Sequence, residues 1–426
     1  MKKNLVIIAG TCYPIPSANG ALALKCAKYL KNEYDVSVIS IRKCETKLPD
    51  SVVCDDVKIH TLGRFRLDWW YKHKKIAFES KGLKKHIFKA SAFLARLCGK
   101  IDSTLFHVDN MWWYKKSAFK LLEGLNKERK IDAIISFCLP IESHLAALQY
   151  KSRHNDVLWA SYWADDFAVK SNKRNLFISF DRLKQIESEV LNKSDVVFST
   201  EELTEALKAY LGSAESKLCP IPYIINSSVL HKAYAPKVND RVTCIFMGNF
   251  YKKIRNPEYM LKVFSDSQLN NIKLLMYIGG DCNSIVEKYA LNSSNIEFHG
   301  FIPKEQLEAV VAGSDILINI DNYNCSGKPS KLFELISYRK PILNFGYSDD
   351  LGELENYPCK LQISMNEDVH TAAANIREFV SSALSFDAVT PEQIESVYEK
   401  HTENFVKSLI TGRLINSDNK QRNYES

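Results

Sequence analysis

The decapeptide GKPSKLFELI, residues 327–336, combines residue types that bind anions. Ser330 is a good helix N-cap, and Lys331 is the first helical residue that would follow it. First-turn amides have no partner inside a helix, and the helix dipole favours negative charge at that end. Gly327 lets the backbone approach a ligand closely, and Lys328 and Lys331 add positive charge. A lysine at the start of a helix opposes the dipole, which a bound phosphate would explain. Glu334 lies one turn further in, where it could accept hydrogen bonds from a ribose diol while a diphosphate occupies the helix end. A capped surface helix with a solvated glutamate would carry the same residues. A second stretch, SYWADDF at 161–167, places Asp165 and Asp166 side by side after an apolar strand. Paired carboxylates can orient a hydroxyl or stabilise positive charge at an anomeric carbon; an aspartate pair can equally cap a helix. Asp165 is the first choice for a catalytic carboxylate.

These stretches sit in a regular alternation of apolar runs and amphipathic segments. Leu5 to Ala9 reads as a buried strand, followed by a loop, an amphipathic helix in ALALKCAKYLKN and a strand in DVSVIS. That is the β-loop-α-β unit of a parallel sheet with right-handed crossovers. Further strands are expected at 133–137, 157–162 and 196–200, with a helix from Asp181 to Asn192. A second β/α series begins near residue 241 and runs through RVTCIFMG, IKLLMYIGG, IEFHG, DILINI and KPILNF. The expected fold is α/β: two doubly wound, Rossmann-like domains, with ligands at strand carboxyl ends and in a cleft that the domains face. The boundaries read as a domain over 1–220, a linker rich in Pro, Ser and Asn at 221–240, and a domain over 241–390. A C-terminal helix at 391–415 is expected to pack back toward the first domain, and 416–426 reads as an unstructured tail.

Composition narrows the function classes. The chain has 426 residues, 46% hydrophobic and 25% charged, which suits two globular domains. A net charge of +7 is too small to imply nucleic acid unless it is concentrated. Eleven cysteines, scattered and without a C-x-x-C pair, give neither a zinc nor a redox motif; the odd number fits reduced thiols in a cytosol. No run of about 18 apolar residues occurs, so no membrane span is expected. The G-x-G-x-x-G dinucleotide fingerprint is absent, which disfavours a dehydrogenase.

SGKPSKLFELISYRKPIL resembles the donor-binding segment of family 4 glycosyltransferases, which have the GT-B fold. In many members this segment reads E-x7-E, and its second Glu binds the donor ribose; Glu334 matches that position, whereas the first Glu falls at Ser326. FMGNFYKKIRNPEYML resembles the family's glycine loop and basic residues. The resemblance implies that Gly248 makes room for the donor diphosphate and that Lys252, Lys253 and Arg255 supply cations to the leaving group. YIGGDC resembles the Gly-rich turn after the next strand, and 296–318 the base-binding stretch, where backbone around Phe301 would contact the nucleobase; His299 reads as a packing or capping residue. YPIPSANGALALKCAKYL resembles the first loop and helix, which would bring Asn19 and Gly20 near the donor phosphate or the acceptor. By the same resemblance Asp165 or Asp166 falls where the family presents an Asp or His to the reacting sugar. Together these imply catalytic roles for Asp165, Lys253 and Arg255. They imply donor binding by Gly20, Gly248, Lys252, Phe301, Ser330, Lys331 and Glu334.

Residues 64–100 stand apart. Eleven Lys and Arg face Asp68 and Glu79, with Trp69, Trp70, Tyr71, Phe78, Phe88 and Phe93 interleaved. Basic residues with interfacial aromatics suit an anionic membrane surface; a solvated helical excursion packed on the first domain would look similar. The expected function is transfer of a sugar from a nucleotide diphosphate donor to a glycan or lipid-linked acceptor, with no metal or cofactor and no nucleic-acid partner. The expected setting is bacterial surface polysaccharide assembly, in the cytoplasm or at the inner face of the plasma membrane. A nucleotide-sugar epimerase or hydrolase on the same fold, and a non-catalytic nucleotide binder, remain open on sequence grounds.

Overall fold

The structure is a computed structural model that describes residues 2–425 except 15, 43–49, 64, 107–111, 173–177, 233–240, 301, 324–330 and 385–388. The chain divides into two compact units, Met1–Pro222 with Lys407–Ser426, and Tyr223–Val406.

The first unit carries β1 (Lys3–Ile8), β2 (Tyr34–Ile41), β3 (Ser51–Cys54), β4 (Val57–Leu62), β5 (Ala133–Cys138), β6 (Leu158–Trp163), β7 (Val196–Thr200) and β8 (Leu218–Ile221). They form one sheet in the order β3-β4-β2-β1-β5-β6-β7-β8. All described pairs are parallel except β3 with β4. β5, β6 and β7 are buried at every residue, which only helices on both faces can achieve. On one face Val6, Ile8, Ile39, Ile134, Trp159 and Trp163 pack with Tyr114 and Tyr150.

The β3–β4 hairpin was not legible in the sequence. Its two-residue loop, Asp55-Asp56, has both residues at positive φ, +50° and +66°, the conformation of a type I′ turn that usually carries Asn-Gly. Aspartate tolerates this region better than most residues, and Lys28 and Lys31 pair with the two side chains.

The second unit carries β9 (Val242–Phe250), β10 (Ile272–Gly280), β11 (Ile296–Phe298), β12 (Ile316–Ile320), β13 (Ile342–Gly346) and β14 (Lys360–Ser364). Their order is β11-β10-β9-β12-β13-β14, all parallel. The period of two along β9 splits the core. Cys244, Phe246 and Phe250 join the cluster around Phe264 and Met276, while Ile245 and Met247 join Leu317, Phe333 and Tyr338 on the other face.

Three expectations are corrected. Part of the expected linker, 221–240, is core: Ile225, Val229 and Leu230 are buried in the second unit, the last two from a short helix, Ser227–Leu230. Apolar spacing within a Pro- and Asn-rich stretch outweighs its composition there. The expected C-terminal helix over 391–415 is two helices, Pro391–Val397 and Glu403–Glu425, with Ile394 buried in the second unit. The expected tail from 416 continues the second of these helices, because nothing after Gly412 is a glycine or proline that would stop it.

The turn after β10 requires its glycine. Gly280 has φ +104°, and a Cβ there would stand 2.0 Å from the Phe250 carbonyl oxygen. Gly280→Ala therefore strains the backbone and must push β9 and β10 apart at their carboxyl ends. The expected loss is about 2–4 kcal/mol in a urea melt; an unchanged midpoint would show that this approach is not needed.

Candidate functional site

In the second unit the strand order reverses between β9 and β12, so the connections leave in opposite directions and open a crevice at their carboxyl ends. Gly248, near the end of β9, has φ +140°; a Cβ there would meet the Lys331 side chain, 3.4 Å from Cδ and 3.5 Å from Nζ. The Lys331 ammonium thus lies against backbone that carries no side chain. Lys331 opens the helix Lys331–Ser337, and its Nζ is 3.9 Å from Glu334 Oε2. Both groups are partly exposed, and an i,i+3 pair of this kind contributes only a few tenths of a kcal/mol, so a ligand can displace it.

Beyond Gly248 the chain folds back on itself, with Arg255 N donating to Tyr251 O and Tyr251 N to Arg255 O. Asp281, after β10, accepts from Lys252 N at 2.9 Å; that bond, followed by one from the Cys282 thiol, holds its carboxyl below the usual carboxylate range. The side chains of Lys252 and Lys253 are exposed, and Arg255 is half-buried. Arg255 Nη2 donates to Asn322 Oδ1 at 2.8 Å, just past the end of β12.

Next to Asn322, Asp321 is held by a ladder of amides. Asn319, Asn344 and Gln362 occupy facing positions on β12, β13 and β14. Asn319 donates to Asn344 Oδ1 and Asn344 to Gln362 Oε1, each at 2.7 Å. The same two asparagines reach the Asp321 carboxylate at 3.1 and 3.3 Å. Burial raises the Asp321 pKa, opposed by the Asn344 bond, the Arg255 charge and the Asn319 bond. Asn322 thus holds the Arg255 guanidinium, whose charge is near enough to the ladder to act on Asp321.

In the first unit the order reverses between β1 and β5. Ser17 caps the helix Ala18–Leu30 by accepting from Gly20 N, and its hydroxyl donates to Thr11 O. A Cβ on Gly20 would stand 1.8 Å from the Thr11 carbonyl oxygen, so the close approach that this glycine permits is to the chain's own backbone. Its neighbour Asn19 donates to Cys138 O at 2.8 Å and reaches Asp165 Oδ2 at 3.5 Å, joining the ends of β5 and β6 to the first helix. The adjacent aspartates separate: Asp166 accepts from Val169 N and caps the helix Phe167–Asn172, while Asp165 is half-buried and turned to Asn19.

Behind this turn, buried Glu187 lies beside Asp166, the Tyr210 hydroxyl and the Phe167 and Ala168 amides. Burial and then the Asp166 charge push its pKa up to about 7, against the Tyr210 and amide contacts. His144 is buried under the Trp163 ring with Nδ1 2.7 Å from Ser136 Oγ, and burial pushes its pKa down to about 3, so it is a neutral core group. His299 stacks on Tyr277 with ring centres 4.7 Å apart.

The structure gathers Gly248, Lys252, Arg255, Lys331 and Glu334 around the second crevice, and Gly20 and Asp165 around the first. Lys253 is placed on the same loop as Arg255, with an exposed side chain. Phe301 and Ser330, with Gly327 and Lys328, lie outside the described residues. The sequence reading missed the amide ladder. Its signal was one Asn or Gln interrupting each of ILINI, ILNFG and KLQIS at matching register. Among the described residues no group of three or more His, Cys, Asp or Glu side chains is placed to hold a metal, and no helix is long and apolar enough to cross a membrane.

No family model and no curated protein sequence matches the chain. Solved structures do. A sucrose-phosphate synthase from Thermosynechococcus elongatus is 11% identical, covers 99% of each chain and superposes with a TM-score of 0.57. The apo lipopolysaccharide outer core galactosyltransferase WaaB is 10% identical over 97% of this chain and 99% of its own, with a TM-score of 0.56. A trehalose-6-phosphate protein from E. coli bound with UDP-2-fluoro glucose is 12% identical over 96% and 99%, with a TM-score of 0.58. The chain has the GT-B fold of these structures.

The Glu187 environment carries a pH signature. A folded-state pKa of about 7 against 4.5 for an ordinary glutamate means that the native state holds this proton more tightly. The resulting stability is complete below about pH 4.5 and lost as pH rises through about 7, roughly 3 kcal/mol in all. Glu187→Gln cannot ionise, so its stability relative to the parent is expected to rise by about that amount across this window. Parallel melting profiles from about pH 5 to about pH 8 would remove the assignment.

Proposed function

We propose that the protein is a glycosyltransferase of family 4 type, transferring a hexosyl unit from a nucleotide diphosphate-sugar to a glycan or lipid-linked acceptor with retention of anomeric configuration. The observation that carries this reading is the approach of Lys331 to the bare backbone at Gly248, with Arg255 aimed from the adjacent strand end. A sugar–diphosphate bond breaks with negative charge accumulating on the leaving diphosphate. Fixed cations that are already oriented lower the energy of that state without reorganising. In this reading Lys331 and Arg255 take the diphosphate, and Lys252 and Lys253 add charge at its solvent side. Lys331 exchanges its weak pair with Glu334 for phosphate, which leaves the Glu334 carboxylate to the ribose diol. The reading also assigns donor-binding roles to Phe301 and Ser330.

Asp165 is the carboxylate of the first unit proposed to face the reacting sugar, held by Asn19 rather than spent on capping. Gly20 supports it indirectly, by letting the first helix close on Thr11. The protein's own cations replace a metal, so no cofactor is required. The GT-B fold shared with a lipopolysaccharide galactosyltransferase supports a place in bacterial surface polysaccharide assembly. A lipid-linked acceptor would bring the protein to the inner face of the plasma membrane.

Thermal melting against a panel of nucleoside diphosphates and their sugars, in EDTA and in magnesium, tests the donor site. One nucleotide is expected to stabilise selectively and equally in both, by about 2.7 kcal/mol at a hundred times its dissociation constant. Arg255→Ala is expected to lower kcat about 10²- to 10³-fold with the fold intact. Glu334→Gln is expected to weaken nucleotide-sugar binding. Absence of any nucleotide shift, together with absence of turnover, would reject the proposal.

A further inference from the structure

The segment 64–100 folds into two helices, Phe65–Glu79 and Gly82–Phe106, packed on each other. The sequence alone offers its aromatics as the membrane-facing group, but several of them turn inward. Trp69 Nε1 donates to Ser91 Oγ at 3.2 Å, His73 Nδ1 lies 2.9 Å from the same oxygen, and Phe88 meets the His73 ring edge-on at 4.9 Å. Ala77, Ala92 and Ala95 are buried in the same region.

The outward face of the second helix is aliphatic. Leu83, Ile87, Ala90, Leu94 and Leu97 recur at intervals of four and three, and at about 100° per residue they fall within an arc of about 80°. Every one of them is exposed, Leu83 at 77%, and Phe93 edges the stripe. Phe78, 89% exposed, lies near the end of the first helix, before the turn that joins the two. Lys84 flanks the stripe on one side and Lys89 and Arg96 on the other, all exposed. No Asp or Glu occurs from 80 to 101.

We infer that this stripe is an interfacial membrane-docking face: the helix Gly82–Phe106 lies in the plane of an anionic bilayer, with Leu83, Ile87, Leu94 and Leu97 below the headgroups and Lys84, Lys89 and Arg96 at their phosphates. An exposed apolar stripe bordered by cations has the form of an in-plane amphipathic helix. Pairing with a second copy is opposed by charge, since the stretch 80–101 holds no acid and would set cations against cations. Nucleic acid would engage the lysines but leave the aliphatic stripe without a counterpart, because bases stack on aromatic planes. The inference deepens the proposed reading by placing the membrane contact on one helix face; the contact itself does not depend on turnover.

Flotation of the full chain with vesicles tests it. The wild type is expected to float with vesicles of equal parts phosphatidylcholine and phosphatidylglycerol, to be released by salt, and to ignore pure phosphatidylcholine. Replacing Lys84, Lys89 and Arg96 by Gln is expected to weaken binding about fivefold per cation, more than a hundredfold together. The triple change Leu83→Ser, Ile87→Ser and Leu94→Ser is expected to abolish flotation while melting as the parent does. In the wild type, amide hydrogen exchange over 83–97 is expected to slow when these vesicles are added. Failure of the wild type to float would overturn the inference, as would a serine variant that floats normally. So would binding that a single-stranded oligonucleotide displaces and the stripe does not affect, or a serine variant whose sedimentation changes without lipid. Glu334→Gln should float as the wild type does, and a wild type that floats but binds no nucleotide would count against the donor site alone.

Discussion

Parallel strands buried on both faces confine this protein's chemistry to their ends. In β5, β6, β7, β12 and β13 every residue is buried, and the strand backbone hydrogen-bonds to its neighbours. Polar groups inside such a sheet are costly unless paired. Functional side chains therefore gather where the strands stop and, by the geometry of crossovers, where the order reverses. In the second unit that place lies between β9 and β12, in the first between β1 and β5. Gly248, Arg255, Asp321 and Lys331 belong to the former; Asn19, Gly20 and Asp165 belong to the latter.

Carboxylates near these ends are differentiated by environment rather than by type. Asp281 and Asp166 accept backbone amides and act as structural anchors for a basic loop and a short helix. Asp321 is held by two asparagines of an amide ladder, and burial raises its pKa. Glu187 is buried beside a like charge and holds its proton to about pH 7. Asp165 and Glu334 remain partly exposed, the first reached by an asparagine and the second paired loosely with a lysine. Those are the two carboxylates the proposed function uses.

The hairpin formed by Phe65–Glu79 and Gly82–Phe106 obeys a different constraint. Two helices that pack on each other can bury one face each, and here that face takes Trp69, His73, Phe88 and Ala92. The aliphatic positions of the second helix are then left outside. A soluble monomer rarely leaves such a stripe uncovered.

Much of this was legible in the sequence. The alternation of short apolar runs with amphipathic segments determines two parallel α/β units, because a strand buried on both sides and a helix buried on one have different periods. The sequence pointed to Gly248, Arg255, Lys331 and Glu334 as candidate site residues, and the structure sets Lys331 against Gly248 and beside Glu334. Tertiary structure alone decided the rest. It separated Asp165 from Asp166, since adjacent residues on a turn point to different partners. It gave Gly20 to the Thr11 carbonyl, made core of Ile225, Val229 and Leu230, and turned Trp69 and Phe88 of the basic segment inward. It aligned Asn319, Asn344 and Gln362 into one ladder. Each of these depends on contacts between residues far apart in the chain, and local pattern carries no information about which distant backbone or amide a side chain will meet.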